Sequence, residues 1–461
     1  ITKSKAFCFA PVNTEESPNT QVGVVSAGLP GALPVLNKAA VVQALKAGIA
    51  LNCTIPQKCF FERKNYFYPD LPKGYQISQL NGPIGVDGHV DIYGKSFGER
   101  RISIDRIQIE EDAGKLSHVG AETWVDLNRA GTCLIEIVSR PDIRSPEQAS
   151  AYMKTVYNIL TFAEVCDGNL ELGNFRCDAN VSVRRHGDSK LGTRAEIKNV
   201  NSFRFVEKAI DFEIARQIAL VESGAKVVQE TRGWDSGTSK TYTMRVKEDA
   251  QDYRYFPDPD LPPLLISKAF VDKIKKNLPK LPHQIIEELR TKHNLDFYFA
   301  QVIGADAEAY KLFETLVSEG LGGDFCAKWI CGDLAKELNE HKLSFSKIPF
   351  KEKEHLSLLK MFCAEKISAP VVKRVLSKMF KDPSLDPESY VTEGNLEQIN
   401  DEAQIKIWVD QITESELDAV SKYQSGQHKI LDYLVGKIMG KSKGRANPSA
   451  VQKVLKAHLK T

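Results

Sequence analysis

The sequence predicts an α+β protein in which a strand-rich N-terminal half gives way to helices. Residues 1–265 hold short alternating runs, such as Arg176 to Arg184 and Gly192 to Lys198, separated by Gly, Pro and Asn clusters. From about residue 268 strand-like runs nearly vanish, and apolar residues recur at helical spacing, as in Ile285, Ile286 and Leu289 or Leu312, Phe313 and Leu316. The Pro-dense stretch Phe256 to Pro263 lies where the pattern changes and marks a domain edge.

Within the first half, helical periodicity covers Pro34 to Leu51, Pro146 to Ala163 and Phe203 to Leu220. Helices set among strands this irregularly point to α+β rather than a regular βαβ alternation. A second edge falls near Lys381-Asp382-Pro383, and Leu417 to Leu459 strings together short amphipathic helices. One of these carries Leu431, Leu434, Val435, Ile438 and Met439 as a single apolar stripe. The expected domains are residues 1–267, 268–390 and 391–461.

The 461 residues are 42% apolar and 26% charged, ordinary values for a soluble globular protein. The net charge of +2 is too small to attract nucleic acid as a whole, so an RNA site needs a local patch. No run of about 18 apolar residues exists, so no membrane span is expected. The opening Ile1-Thr2-Lys3-Ser4-Lys5 resembles neither a signal peptide nor an intact start, which places any targeting segment out of view. Nine scattered cysteines without a CxxC pair read as reduced thiols in an intracellular compartment and not as a zinc site.

The chemistry concentrates in a predicted hairpin. Strict alternation puts Asp178, Asn180 and Ser182 on one face of its first strand, and Arg194, Glu196 and Lys198 on one face of its second. A turn centred on Gly187 places Asp178 directly opposite Glu196. Facing carboxylates repel unless a cation compensates them, and that cation is either a metal or the pair Arg194 and Lys198. Glu111 continues the inward face of Ile107 and Ile109, where a bare carboxylate is costly. Three inward carboxylates without a Cys or His cluster suit Mg²⁺, a hard cation that usually also holds phosphate oxygens. Ordinary salt bridges on a solvated face are the competing explanation.

In Phe61 to Asp70, Lys64 is placed to hold phosphate while Tyr66 and Tyr68 frame a base or ribose. An aromatic turn with a snorkelling lysine explains the same residues. Gly28-Leu29-Pro30-Gly31 lacks the Lys-Ser/Thr of a phosphate loop and any dinucleotide spacing, and no nucleophile elbow is present. Near the end, Lys437, Lys441, Lys443 and Arg445 surround Gly440 and Gly444, a basic loop suited to a phosphate backbone or simply to water.

Together these segments resemble the B subunit of the glutamyl-tRNA(Gln)/aspartyl-tRNA(Asn) amidotransferases. The resemblance rests on Ala27-Gly28-Leu29-Pro30-Gly31, Arg63 to Asp70, Tyr75 to Gln79, Glu110 to Lys115, Val125 to Arg129 and Leu134 to Ser139. It continues through Arg176 to Asn180, Ala195 to Phe203, Asp252 to Pro257, Leu434 to Met439 and Lys443 to Pro448. It implies a cradle-like kinase domain, a helical domain and a small tRNA-binding tail. The implied reaction phosphorylates the glutamate of Glu-tRNA(Gln) with ATP, and ammonia from a partner amidase (glutaminase) subunit then displaces the phosphate. A small third subunit completes the implied complex.

The implied catalytic residues are Lys64, Glu111, Asp178 and Glu196, with Mg²⁺ held by the three carboxylates. ATP contacts are expected from Lys64, Tyr66, Tyr68, Asn180 and Lys198, and tRNA contacts from Lys441, Lys443 and Arg445. Two departures stand out. The family's opening Gly-Leu-Glu-x-His strand, whose acidic residue and histidine complete the metal site, falls just before this sequence begins. A CxC plus CxxC zinc site of many relatives reads here as Cys8, Ala10, Gly23 and Ser26, so no zinc is expected. These departures lean towards a member of the mitochondrial matrix over a bacterial one. A tRNA-binding or assembly subunit without catalysis of its own is the alternative.

Overall fold

The computed structural model describes residues 1–13, 16–170, 173–198, 200, 202–246, 252–442 and 444–459. They form two compact units, Ile1–Pro282 and His283–Thr461.

In the N-terminal unit, helix α1 (Lys38–Ala50) is capped by Asn37, whose side chain accepts from the Ala39 amide at 2.9 Å. Its buried Ala40, Ala44, Ala47 and Ala50 let the helix lie close to the sheet it packs on. Strands β1 (Lys58–Cys59) and β2 (Glu62–Asn65) follow, and β3 (Tyr75–Ser78) pairs antiparallel with β2, placing Lys64 opposite Gln76. β4 (Gly85–Gly94) and β5 (Gly98–Glu111) form the long hairpin of the main sheet. β6 (Lys115–Val119) and β7 (Glu122–Asp126) make a separate hairpin, and β8 (Cys133–Ser139) returns to the free edge of β5.

The register of β5 shifts between Ile104 and Arg106, and this irregularity changes the residues that face the core. Before it Ile102 and Ile104 face the core; after it Ile107, Ile109 and Glu111 do, with Gln108 buried on the other face. Gln108 and Glu110 consequently lie on the opposite face, beside Glu136 and Gln76.

Helix α2 (Pro146–Phe162) starts on a Ser145 cap with Pro146 in its first turn. A second sheet is built from β9 (Ala179–Val181), β10 (Ala195–Lys198), β11 (Glu230–Asp235) and β12 (Lys240–Val246), in the order β12-β11-β10-β9. β10 and β11 run parallel, which requires a crossover, and helix α3 (Phe203–Glu222) supplies it. Val206 and Ala209 of α3 pack with Val181, Ile197 and Trp234 of the sheet and Met153 of α2.

The Pro-dense stretch is not a domain edge. β13 (Phe256–Pro257) pairs with β2 and β14 (Leu264–Leu265) with β1, short edge strands in which proline is tolerated. Helix α4 (Lys268–Lys276) then buries Ile274 in the same core as Ile266 and Leu281. The boundary expected after residue 267 therefore falls at Pro282, because the first helix beyond the prolines still has its apolar face in the first core.

The C-terminal unit is helical. α5 (Pro282–Lys292), α6 (Phe297–Gly304), α7 (Ala307–Ser318) and α8 (Gly323–Trp329) lead through a π-helical turn, Ile330–Leu334, into α9 (Ala335–Glu340). α10 (Glu352–Cys363), α11 (Ala369–Lys381) and α12 (Pro387–Glu393) follow. α13 (Glu402–Ser415), α14 (Leu417–Gln424), α15 (Ile430–Lys441) and α16 (Pro448–His458) share an apolar cluster of their own. In it Leu431, Leu434 and Ile438 are buried, with Val435 and Met439 packed against them, the stripe read from the sequence. The tail nevertheless does not separate at residue 391. The Gln398 amide donates to Lys366 O at 2.7 Å, and Asn447 Nδ2 donates to Glu365 Oε2 at 2.7 Å, so it joins the unit that holds α10 and α11. Among the described residues no helix is long and apolar enough to cross a membrane.

Candidate active site

Lys64 sits on β2 among tyrosine rings. Its Nζ lies 4.9 Å from the centre of the Tyr253 ring and 5.8 Å from that of Tyr66, and Tyr253 meets Tyr66 and Tyr255 edge to face. The β2–β13 pairing delivers Tyr253 and Tyr255, which sequence reasoning quoted in a motif without giving them a role. Burial raises the pKa of both Tyr66 and Tyr255, the latter to about 12, so these phenols stay protonated. Tyr68 is exposed and is not one of these three rings.

Beside Lys64, Gln76 Nε2 donates to Glu110 at 3.0 Å, and Gln108 Nε2 donates to Glu110 at 3.2 Å and to Glu136 at 2.6 Å. Burial first, then the nearby Glu136 charge, pushes the Glu110 carboxyl up to about 7, while Lys64 pulls it down. Glu136 was missed in the sequence: it reaches Glu110 only through the β5–β8 register, which pairs it with Gln108.

Glu111 faces inward, as the alternation implied, and only 1% of its side chain is exposed. The loop before β3 supplies its counter-ion, Lys73, and the Ile77 amide donates to it at 2.9 Å. Lys5, fully buried, lies near enough to feel this carboxylate and donates to Ala130 O at 2.6 Å.

Asp178, Glu196 and Lys198 share a face, but their register is displaced by two residues from the one expected. Glu196 lies opposite Asn180 and Ile197 opposite Ala179. A slip of two keeps every side chain on its face while moving Asp178 off Glu196. Lys198 Nζ stands between them, 3.1 Å from Asp178 and 3.5 Å from Glu196, and Thr231 Oγ1 donates to Glu196 at 3.0 Å. Burial works against the Lys198 charge, yet the two carboxylates together hold its pKa above the ordinary value. Arg194, the other candidate cation, and Asn180 are exposed. An ion pair this open contributes roughly 0–1 kcal/mol, so stability alone gives little reason to gather three charges here.

The three carboxylates are not assembled into one metal cage. Among the described residues no group of three or more His, Cys, Asp or Glu is arranged to hold a metal ion. The structure brings together Asp178 and Glu196, two hard oxygen donors around one ammonium; such a pair suits Mg²⁺ bound together with substrate phosphates. At the positions matching the relatives' zinc site, a side chain on Gly23 would collide with Cys8 Sγ and meet Ala10 at 3.2 Å. Cys8 is the one sulfur among them, a donor set that does not fit zinc.

In the tail, Lys441 is exposed on the last turn of α15 and Arg445 is half-buried, its carbonyl accepting from the Ile399 amide at 2.6 Å. Lys443 lies outside the described residues. Lys437 is engaged with Glu416 at 2.9 Å. A depression of about 470 Å³ beside Phe60, Phe61 and the Pro257 to Pro263 stretch is lined by none of the expected site residues.

The tyrosine-framed lysine on the antiparallel β13-β2-β3 sheet and the charged group on the mixed β9–β12 sheet lie in a region that a family model matches. The model described as "GatB/GatE catalytic domain" matches residues 1–272, and the one described as "GatB domain" matches residues 311–459. Relatives named as the B subunit of aspartyl/glutamyl-tRNA(Asn/Gln) amidotransferase come from Persephonella marina, 44% identical over 100% of this chain and 97% of the relative, and Geobacter sulfurreducens, 45% identical over 100% and 96%. Another, from Nitrosococcus oceani, is 44% identical over 99% and 96%. The chain belongs to the B-subunit family of the aspartyl/glutamyl-tRNA(Asn/Gln) amidotransferases. The three relatives are bacterial and lend no support to a mitochondrial location.

Proposed function

We propose that this chain binds misacylated Glu-tRNA(Gln), activates its glutamate with ATP, and converts it with ammonia to Gln-tRNA(Gln). The carrying observation is the juxtaposition, inside the matched catalytic region, of a lysine held against the Tyr66 and Tyr253 rings with carboxylates ringed by amides and ammonium groups.

The chemistry follows from charge. A carboxylate is a poor electrophile; its oxygen attacks the γ-phosphorus of ATP, ADP leaves, and the acyl phosphate carries a leaving group. Ammonia then attacks the acyl carbon, phosphate departs, and nitrogen loses a proton. Lys64 and Lys198 offset charge developing on phosphate oxygens, and Tyr66, Tyr253 and Tyr255 offer a face to the base. Mg²⁺, when bound at Asp178 and Glu196, supplies further charge neutralisation. Ammonia comes from a partner glutaminase subunit, since the sequence offers no recognisable glutaminase nucleophile, and a small third subunit joins the complex. Lys441 and Arg445 contact the tRNA backbone; replacing them weakens tRNA binding more at low salt than at high.

The test is ATP hydrolysis by the complex with Glu-tRNA(Gln), uncharged tRNA, Asp-tRNA(Asn) and free glutamate. Stimulation by Glu-tRNA(Gln) alone supports this reading, and equal stimulation by Asp-tRNA(Asn) broadens it. The Lys198 bridge between Asp178 and Glu196 favours a second reading, an assembly subunit whose carboxylates are structural. Absence of any tRNA-stimulated ATP turnover supports that one.

A further inference from the structure

Two of the three sheets that carry the site, β4-β5-β8 and β9 to β12, are joined by a clip centred on Asp112. Its Oδ2 accepts from Arg129 Nε and, at 2.7 Å, from Arg176 Nη2. Both guanidinium groups also donate to one carbonyl, that of Gly173: Arg129 Nη2 at 3.1 Å and Arg176 Nε at 3.2 Å. Gly173 adopts φ +68°, a conformation glycine takes without penalty, and either guanidinium lies within 3.9 Å of where a β-carbon would stand. The backbone fixes Asp112 from its own side, its amide donating to Thr132 O at 2.8 Å and its carbonyl accepting from the Gly131 amide at 2.9 Å.

The placement along the chain gives this clip its consequence. Asp112 directly follows Glu111, the inward carboxylate at the end of β5, and Arg176 stands two residues before Asp178, which leads into β9. β5 belongs to one sheet and β9 to another, with no strand pairing between them among the described residues. The carboxylate of Asp112 is 12% exposed, so its charge-assisted bonds are shielded, whereas the Arg176 side chain is 49% exposed.

We propose that Asp112 is a positioning residue: through Arg176 and the Gly173 carbonyl it holds segment 173–178, and with it the Asp178–Lys198–Glu196 group, against the Glu111 end of β5. This rests on the catalytic reading for its effect on turnover, though not for its effect on the segment. Phosphoryl transfer tolerates little misplacement, since shifts near 1 Å cost on the order of 100-fold in rate.

The test uses the complex assembled with its partner subunits and carrying Asp112→Asn, Arg176→Gln or both. Asn keeps the shape and removes the charge, and Arg176 is exposed enough for Gln to be accommodated. Amide exchange across residues 173–183 should quicken at least tenfold in each variant. The kcat of Glu-tRNA-dependent ATP turnover should fall about 10- to 100-fold with KM for ATP changed less than threefold, and Asp112→Glu should recover part of it. The double variant should be no worse than Asp112→Asn, because the two residues act in one line of contact. Unchanged exchange overturns the clip. Faster exchange with normal kcat, or an additive double variant, overturns the positioning role. If the unmodified complex shows no tRNA-dependent turnover, the catalytic reading has failed, and exchange alone still decides whether the clip orders the segment.

Discussion

In the N-terminal unit, Lys5, Glu62, Glu111, Glu213, Glu230, Arg232 and Asp258 are all buried; in the C-terminal unit the buried acidic or basic side chains among the described residues are Glu337 and His355. Most of the first group is paired with charge, Glu111 with Lys73, Asp258 with Arg63, and Glu213 and Glu230 with Arg216 and Arg232, while Glu62 accepts from the Asn81 backbone and side-chain amides at 2.7 and 2.8 Å. His355 is different in kind. It is 2% exposed and accepts the Trp329 indole N–H at 2.8 Å, which requires the neutral ring. Burying paired charges is poor value for stability, since desolvation cancels much of the attraction. A unit that does so repeatedly is organised to hold charges at fixed places, and a unit that buries apolar helix faces with only Glu337 and one neutral imidazole among its described acidic and basic side chains is organised to hold its shape.

The sharpest break in that contrast comes from Glu111→Gln. It leaves Lys73, 6% exposed, without its counter-charge, so the first unit should lose roughly 3–5 kcal/mol. A melting profile identical to the parent's would show that the buried pair is dispensable.

His355 tests the other unit. Burial lowers its pKa from 6.5 to about 4, so its contribution is present above pH 6.5 and is lost as pH falls towards 4. The full loss is about 3 kcal/mol. Urea unfolding between pH 7 and 4, followed by amide exchange in residues 283–459, should show this slope, and His355→Gln should flatten it. An equal slope in the variant would remove His355 as the cause.

Asp178→Asn and Glu196→Gln separate chemistry from structure. Because the ion pairs are open, stability should change by no more than about 1 kcal/mol. If they serve phosphoryl transfer, ATP turnover should fall on the order of 100-fold, near 2.7 kcal/mol, while the partner's glutamine hydrolysis survives. Normal turnover would end the catalytic assignment.

What the sequence made legible was local. Periodicity marked α1, α2 and α3 to within a few residues, and alternation put Asp178, Glu196 and Lys198 on one face. The two-residue slip was not legible, since a face is preserved under it and only turn geometry separates the registers. Nor was the company each residue keeps. Tyr253 reaches Lys64 across almost 190 positions through the β2–β13 pairing, and Lys73 reaches Glu111 from a loop with no periodic signal. Helix α4 was assigned to the wrong side of a boundary because prolines read as an edge even where they sit in edge strands.

The smallest effect expected is also the one that opposes His355 in sign. The Glu110 carboxyl is raised from 4.5 to about 7, by burial and then by Glu136. Between those values the folded protein keeps a proton that the unfolded chain releases, so this contribution is complete below pH 4.5 and is lost as pH rises through 7. The N-terminal unit should therefore weaken towards alkaline pH, where the C-terminal unit has already recovered its neutral histidine. Lys64, Gln76 and Gln108 all stabilise the ionised form, and the proton belongs to the Glu110–Glu136 pair more than to either residue, so the loss should be modest and spread over a broad range. Glu110→Gln removes the titrating group while keeping a hydrogen-bonding side chain. Amide exchange in residues 98–139 at pH 5, 6.5 and 8 should slow in the variant relative to the parent at pH 8 and differ little at pH 5. Equal exchange at pH 8 would place the proton elsewhere and remove the opposition between the two units.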